Sequence, residues 1–125
     1  KSDYDRAILD YGFAIEVNPQ LSEAFYGRGE AYANKKDYDH AIEDYDQAIK
    51  RNPKYLEAFN SRGNVYFNKG QYGRAIQDYN AAMKINGQSA EAFYRRGLAK
   101  QNRGDTAGGN ADIDKARQLQ PGIGQ

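Results

Sequence analysis

The chain has 125 residues, and its 18 Lys and Arg nearly balance its 17 Asp and Glu, giving a formal net charge of +1. This balance argues against a strongly electrostatic partner such as duplex DNA or an anionic membrane surface. The sequence has no cysteine and no apolar run long enough to span a bilayer, which excludes disulfides, thiolate metal sites and a transmembrane helix.

The first predicted element is a single amphipathic helix in residues 1–21. Its apolar residues recur at spacings of three, four and seven, which is typical of a helix with one buried face. Asn18-Pro19 ends this helix, because the residue before a proline is biased away from the α region. The positions that recur later in the chain are Tyr4, Ala7, Ile8, Asp10, Tyr11 and Ala14.

Residues 22–55 predict two helices separated by a break at Lys36-Asp37. Asp37 suits the start of the second helix, where a carboxylate accepts hydrogen bonds from free N–H groups. Residues 56–89 repeat this unit thirty-four residues later, with about half of the positions identical. The recurring positions of the complete unit are Glu23, Ala24, Phe25, Arg28, Gly29 and Tyr32, followed by Tyr38, Ala41, Ile42, Asp44, Tyr45 and Ala48.

Residues 90–123 form a degenerate last unit. They keep Phe93, Gly97 and Ala116, but Gly109 replaces the alanine and Ile113 replaces the aromatic residue of the other units. The final helix is polar, which predicts a terminal cap that faces water. Its polar residues are Asn110, Asp112, Asp114, Lys115 and Arg117.

Glycine recurs in the middle of each first helix, at Gly29, Gly63 and Gly97. A glycine there costs about 1 kcal/mol relative to alanine, so a compensating contact is expected. We predict close approach of the paired helix, against Ala41 and Ala75. A phosphate-binding loop is disfavoured, because it requires its glycines between a strand and a helix.

The pattern resembles the tetratricopeptide repeat (TPR) family over nearly the whole chain. The hallmark positions are occupied by Phe25, Gly29, Tyr32, Ala41, Tyr45, Ala48 and Pro53, with Gly87 replacing the proline in the next unit. The resemblance implies a right-handed α-α superhelix of about seven antiparallel helices. It also implies a concave face, lined by the first helix of each unit, that binds a peptide or a segment of a partner protein.

The non-core positions of the first helices vary between units, which makes them the predicted peptide-binding groove. The groove residues are Glu23, Tyr26, Glu30, Glu57, Asn60, Asn64, Phe67, Glu91, Tyr94, Arg95, Leu98 and Gln101. Its acidic residues predict a peptide with some positive charge. Only Asn64 and Arg95 match the residues with which some TPR domains clamp a chaperone's terminal carboxylate, so that specificity is rejected. Asn34, Asn68 and Asn102 recur near the helix ends, and we interpret them as helix caps in preference to ligand contacts.

Arginine precedes each mid-helix glycine, and aspartate recurs on the second helices with the same period. We predict that the two series pair into a ladder of Arg–Asp contacts. The arginines are Arg28, Arg62 and Arg96, and the aspartates are Asp10, Asp44, Asp78 and Asp112.

Catalytic chemistry is not predicted. His40 is the sole histidine and occupies an exposed-looking position, and no cluster of residues suits a cofactor or a metal ion. The sequence predicts a soluble, non-enzymatic interaction scaffold of the cytoplasm or the periplasm. The alternative is a self-assembling module that stacks end to end, because residues 1–21 lack the first helix of their unit. A nucleic-acid partner is disfavoured, since Arg95, Arg96, Lys100 and Arg103 form only a short basic stretch.

Overall fold

The computed structural model describes residues 2–125, and within this range all regular structure is helical. The seven helices are α1 Asp3–Val17, α2 Ser22–Asn34, α3 Tyr38–Arg51, α4 Leu56–Asn68, α5 Tyr72–Ile85, α6 Ala90–Asn102 and α7 Thr106–Leu119. Helices α2 and α3, α4 and α5, and α6 and α7 pack as antiparallel pairs, and each pair packs on the next. The predicted all-α solenoid of seven helices is confirmed. None of the helices described is both long and apolar enough to cross a membrane.

The turn inside each helix pair has the same shape in all three units. The middle residue has a positive φ, 64° at Lys36, 78° at Gly70 and 96° at Gly104. The predicted capping role of Asp37 is confirmed, because its side chain accepts a hydrogen bond from the backbone N–H of His40. Asp105 caps α7 in the same way, through the N–H of Gly108 at 2.9 Å. These tight turns make the two helices of a unit antiparallel neighbours.

The first helices form the inner layer of the stack. Helix α2 approaches α4 and α4 approaches α6, whereas among residues 2–125 no second helix approaches another second helix. Elements on the inside of a curve lie closer together than those outside. The concave surface is therefore the one lined by α2, α4 and α6.

Gly29 and Gly63 allow a tyrosine of the paired helix to lie against the first helix. A Cβ atom at Gly29 would lie 2.9 Å from the ring of Tyr45, and one at Gly63 would lie 2.8 Å from the ring of Tyr79. The predicted close approach is confirmed, but its main partner is the tyrosine ring, not Ala41 or Ala75. Both tyrosines are buried, so a larger residue than glycine would displace a core side chain.

The last unit achieves the same close approach with two glycines. A Cβ atom at Gly97 would lie 2.8 Å from the carbonyl of Gly109, and one at Gly109 would lie 2.6 Å from the carbonyl of Gly97. The backbones of α6 and α7 are thus in contact, which explains why glycine replaces the alanine of the other units. After α7 the chain folds back so that Ile123 is buried.

Candidate functional site

Three bidentate ion pairs hold the first helix of each unit against its second helix. The Nε and Nη2 atoms of Arg28 both donate to Asp44 at 2.8 Å. Arg62 reaches Asp78 at 2.9 and 2.7 Å, and Arg96 reaches Asp112 at 2.7 Å through both atoms. The predicted Arg–Asp ladder is confirmed at these three positions, and it fixes the orientation of the groove-lining helices.

The remaining nitrogen of each arginine points to the second helix of the preceding unit. Arg62 Nη1 donates to Asp46 at 2.7 Å, and Arg96 Nη1 donates to Asn80 at 2.9 Å. The corresponding position beside Arg28 is Gly12, which has no side chain to accept this bond. The ladder therefore joins neighbouring units as well as paired helices, except at its first position.

Two of the predicted ladder and cap assignments are corrected by the structure. Asp10 is exposed and has no arginine partner among residues 2–125, because no first helix precedes α1 there. Asp112 does not face water with the rest of the α7 polar run. It is buried and pairs with Arg96 and, at 2.9 Å, with Lys100.

The pKa values of two ladder carboxylates, Asp112 and Asp78, are shifted in opposite directions by their surroundings. Burial opposes the ionisation of Asp112, but hydrogen bonds from Arg96 and Lys100 outweigh it and lower the pKa of this carboxyl. Asp78 is buried beside a single arginine, and burial there raises its pKa. The hydrogen bond to Asp44 raises the pKa of Arg28, so the guanidinium stays charged at neutral pH.

The α2 end of the concave face is an aromatic cluster surrounded by carboxylates. The ring of Tyr26 lies 6.0 Å from that of Tyr45 and 5.1 Å from that of Tyr55, centroid to centroid. Burial, Tyr26 and nearby carboxylates raise the pKa of Tyr55 to about 12. These carboxylates, Glu23, Glu57 and Glu30, make this end of the groove acidic, as the sequence predicts.

Two predicted groove residues also serve the core. The hydroxyl of the buried Tyr45 donates to Glu30, and that of Tyr79 donates to Asn64 Oδ1 at 2.6 Å. In the last unit the corresponding pair is Leu98 and Ile113, neither of which can form this bond. The sequence contains a sign of this tyrosine–acceptor pairing, because in the last unit the tyrosine and its acceptor are both replaced by apolar residues. This pairing was nevertheless not among the contacts predicted from the sequence.

A cleft of about 200 Å³ lies on the concave face between the unit of residues 22–55 and the unit of residues 56–89. Glu30 and Asn64 are predicted groove residues that line it, beside Ser61. Asn34 and Asn68 line it too, so they face the groove rather than cap a helix, whereas Asn102 caps α6 by donating to the carbonyl of Leu98 at 2.8 Å.

A larger cleft, of about 440 Å³, lies at the other end between α6 and α7. The predicted groove residues Tyr94, Leu98 and Gln101 line one wall. The opposite wall consists of α7 residues that were not predicted to line a cleft, and the polar ones among them were predicted to belong to a water-facing cap. They are Asn110, Ile113, Asp114 and Arg117, whose spacing of three to four places them on one helix face.

Of the remaining predicted groove residues, Arg95, Glu91 and Phe67 have local partners, whereas within the described residues Asn60 has an unpaired side-chain oxygen. Arg95 donates to Glu91 at 2.7 Å within α6, and the ring of Phe67 packs edge-on against Tyr72 with centroids 5.2 Å apart. The side-chain oxygen of Asn60 is buried without a hydrogen-bond partner among residues 2–125. The groove is thus acidic at α2 and α4, whereas its other end carries Arg95 paired with Glu91, and the α6–α7 cleft holds both Arg117 and Asp114.

Comparisons with known proteins agree with this architecture. Models of the tetratricopeptide repeat match residues 22–55 and 44–77, and a model described as TPR repeat matches residues 63–104. Together they cover residues 22–104. No curated protein sequence matches the chain.

Solved structures with similar folds include MamA. The structure of MamA from Desulfovibrio magneticus RS-1, residue 41 to the end, has a TM-score of 0.91 and 26% identity, covering 96% of this chain and 68% of that one. Another MamA crystal structure has a TM-score of 0.88 and 25% identity, covering 93% of this chain, which spans 63% of the MamA chain.

A third structure is the first TPR of Spaghetti (RPAP3) bound to the HSP90 peptide SRMEEVD. Its TM-score is 0.79 and its identity 24%, with 82% of each chain covered, so it shows similarity of fold alone. The matches to the repeat models agree with the helix pairs of the fold and with the constant spacing of the Arg–Asp ladder along the chain. The chain belongs to the tetratricopeptide repeat family.

Proposed function

We propose that the chain is a non-enzymatic interaction scaffold that binds an extended peptide segment of a partner protein along its concave face. The observation that carries the proposal is the cleft of about 200 Å³ on this face, together with a cleft of about 440 Å³ that the groove residues of α6 share with α7. The predicted groove residues that line them, Glu30, Asn64, Tyr94, Leu98 and Gln101, occupy positions that differ between units, while the residues that build the solenoid recur. The peptide bound in the structure of the RPAP3 domain supports this mode of binding for the fold.

The charge along the groove suggests the polarity of the peptide. Glu23 and Glu57 at the α2 and α4 end favour a Lys or Arg side chain, which the nearby tyrosine rings also accommodate. Arg117, which shares the cleft at the other end with Asp114, offers a partner to a carboxylate of the peptide. Amide side chains such as Asn64 offer hydrogen bonds to an extended backbone.

The test is a screen of an array of extended peptides, with each bound peptide then measured against groove variants. Arg117→Glu is expected to weaken binding about tenfold or more, because it reverses the charge inside the larger cleft. Lys115→Glu is the matched control, since it makes the same charge change two residues away, outside the cleft. If every bound peptide keeps its affinity for Arg117→Glu and for Leu98→Ala, the concave face is not the binding surface.

Self-association is a second candidate function, favoured by the exposure of α1. Helix α1 has no buried residue. It carries five of the six large exposed apolar side chains, which are Tyr4, Leu9, Tyr11, Phe13 and Val17. Such patches promote association.

A further inference from the structure

The outer side of α1 carries an apolar stripe that the repeat does not require. Leu9, Phe13 and Val17 are 50%, 62% and 86% exposed and lie one helical turn apart. Helix α2 contacts α1 elsewhere, because Tyr11 lies against Gly27 and Asp5 pairs with Lys35. The same positions of α3 hold Glu43, Gln47 and Arg51.

The Leu9 end of this face stays open even where a unit has its first helix. At the position of Leu9, the complete units have Glu43, Gln77 and Ala111, and all three are exposed although α2, α4 and α6 are in place. In α3 the counterpart of Val17, Arg51, lies over the ring of Phe25 in α2, so a first helix would cover Val17 but not Leu9. The Leu9 end of the stripe is therefore not simply a surface that a missing first helix would cover. It needs an occupant that approaches from outside the solenoid.

Residues on this face of α1 have the spacing found along the contact line between two helices of a coiled coil, which is called the seam here. Arg6, Leu9, Phe13 and Glu16 are spaced by three, four and three residues, the spacing of the a and d positions of a heptad. Two antiparallel copies place Leu9 against the partner's Phe13 and Arg6 against the partner's Glu16. Two parallel copies would place Arg6 against Arg6 and Glu16 against Glu16, which is unfavourable. The charges thus favour an antiparallel pair.

We propose that α1 docks on α1 of a second copy of this chain, antiparallel and related by a two-fold axis. Arg6 and Glu16 are exposed, and neither forms an ion pair within residues 2–125, so both are available for the partner. The seam is much smaller than the about 1,600 Å² of a typical stable interface, so the dimer is weak, with a dissociation constant on the order of 100 µM.

The geometry favours this pairing over end-to-end stacking. In the solenoid, first and second helices alternate along the stack. A head-to-tail arrangement would bring α7 of one copy to α1 of the next, and both are second helices. No first helix would lie between them, so the alternation would not continue.

The first experiment is sedimentation velocity over a concentration series up to the millimolar range. The unmodified chain is expected to show a monomer–dimer equilibrium. The variant Leu9→Glu/Phe13→Gln, which places the residues of α3 on α1, is expected to stay monomeric with unchanged helicity by circular dichroism. Gln77→Glu is the control at the corresponding position of α5 and keeps the dimer. A wild-type chain that stays monomeric throughout, or a dimer that survives in the α1 variant, overturns the proposal.

Charge reversal tests the contacts. Arg6→Glu or Glu16→Arg alone is expected to weaken the dimer about tenfold, because two symmetric pairs become repulsive. The double variant Arg6→Glu/Glu16→Arg restores the pairs and is expected to recover the original dissociation constant. Failure of the double variant to recover rules out the proposed register. Arg117→Glu is expected to leave the dimer unchanged, so this test is independent of the peptide groove.

Cross-linking tests the orientation, since the chain has no cysteine of its own. In the antiparallel pair, an Arg6→Cys chain is expected to form a disulfide with a Glu16→Cys chain when the two are mixed under oxidising conditions. Neither variant alone is expected to cross-link, because ten residues of helix separate the two sites by about 15 Å. Efficient cross-linking of each variant with itself would show a parallel pair and refute the model.

Discussion

Two series of ion pairs run along the stack of helices, and they differ in burial. In the inner series, each aspartate is 5–8% exposed and binds an arginine through two hydrogen bonds. In the outer series, Lys35 binds Asp5 and Lys69 binds Asp39, and these aspartates are 35% and 79% exposed. Both series follow the same period, so periodicity alone does not show which pairs matter for stability.

The two series also have different structural roles. The inner pairs join the two helices of one unit, whereas the outer pairs join a turn to the helix of the preceding unit. Removing one partner of a buried pair leaves an uncompensated charge, which costs far more than losing an exposed pair. The inner series should therefore govern stability, and the outer series should contribute little.

The largest expected loss of stability comes from breaking the inner pair whose arginine has no second acceptor in the part of the chain that the structure describes. Asp44→Leu should lower the free energy of unfolding by about 3 kcal/mol, because Arg28 has no second acceptor beside Gly12. Asp78→Leu should cost less, since Arg62 keeps its hydrogen bond to Asp46. Urea unfolding followed by circular dichroism measures both values.

The double variant Arg28→Leu/Asp44→Leu is the control for this prediction. Removing both charges should recover a large part of the loss seen with Asp44→Leu alone, because no unpaired charge remains. Simple additivity of the two single substitutions would show that the inner pair is not energetically coupled. The comparison between the two series would then fail.

The inner series was predictable from the sequence, and the outer series was overlooked. Arg28 and Asp44 each belong to a series that recurs in all units, so their pairing follows from a shared period. Asp5 and Asp39 also recur, as do Lys35 and Lys69, but the third position has Gly73 in place of the aspartate. A series of two is harder to distinguish from ordinary surface charge.

The two clefts were only partly predictable. The first helices supply one wall, and their variable positions were identified from the repeat. The second wall of the larger cleft comes from α7, where departure from the repeat pattern suggested a simple cap. Residues such as Asn110 and Arg117 have no counterpart in the family pattern, so only the packing of α7 against α6 shows that they line this cleft.

Gly73→Asp should complete the outer series and test whether exposed pairs add stability. The Nη1 atom of Arg103 lies 3.4 Å from where a Cβ atom at residue 73 would be, and among residues 2–125 Arg103 has no carboxylate partner. We expect a gain of about 0.5–1 kcal/mol, from helix propensity and from an acid in the first turn of α5.

Gly73→Asn separates the two contributions, since it supplies a similar side chain without charge. Urea unfolding at low and high salt should show that only the aspartate variant loses part of its gain as salt rises. An equal gain for both variants at both salt concentrations would mean that Arg103 forms no useful pair.

Removing an existing outer pair should have a smaller effect still. Asp39→Asn should lower the midpoint of thermal unfolding only slightly, because Asp39 is largely exposed and salt already screens its pair with Lys69. Differential scanning calorimetry of this variant beside Asp44→Leu compares the two series directly. A loss as large as that of Asp44→Leu would contradict the view that burial decides the contribution of each pair.

The smallest expected effect is that of an exposed pair which pH can switch without a mutation. His40 Nδ1 lies 2.7 Å from Asp37 Oδ2, and this hydrogen bond raises the pKa of His40 above its ordinary value of 6.5. The raised pKa means that the charged form is favoured in the folded state. The contribution is therefore complete below the pKa of the unfolded chain and is lost as the pH rises through the folded pKa.

An NMR titration of the imidazole protons measures this shift without ambiguity, because the chain has one histidine. The folded pKa should fall towards 6.5 in Asp37→Ser, a variant that keeps a side-chain oxygen to cap α3 but removes the charge. A pKa that is the same in both proteins would show that Asp37 acts only as a helix cap. If Asp37→Ser lowers the pKa of His40 but barely changes the free energy of unfolding, this pair belongs with the outer series. In that series the geometry of the pairs is good, but water weakens the attraction.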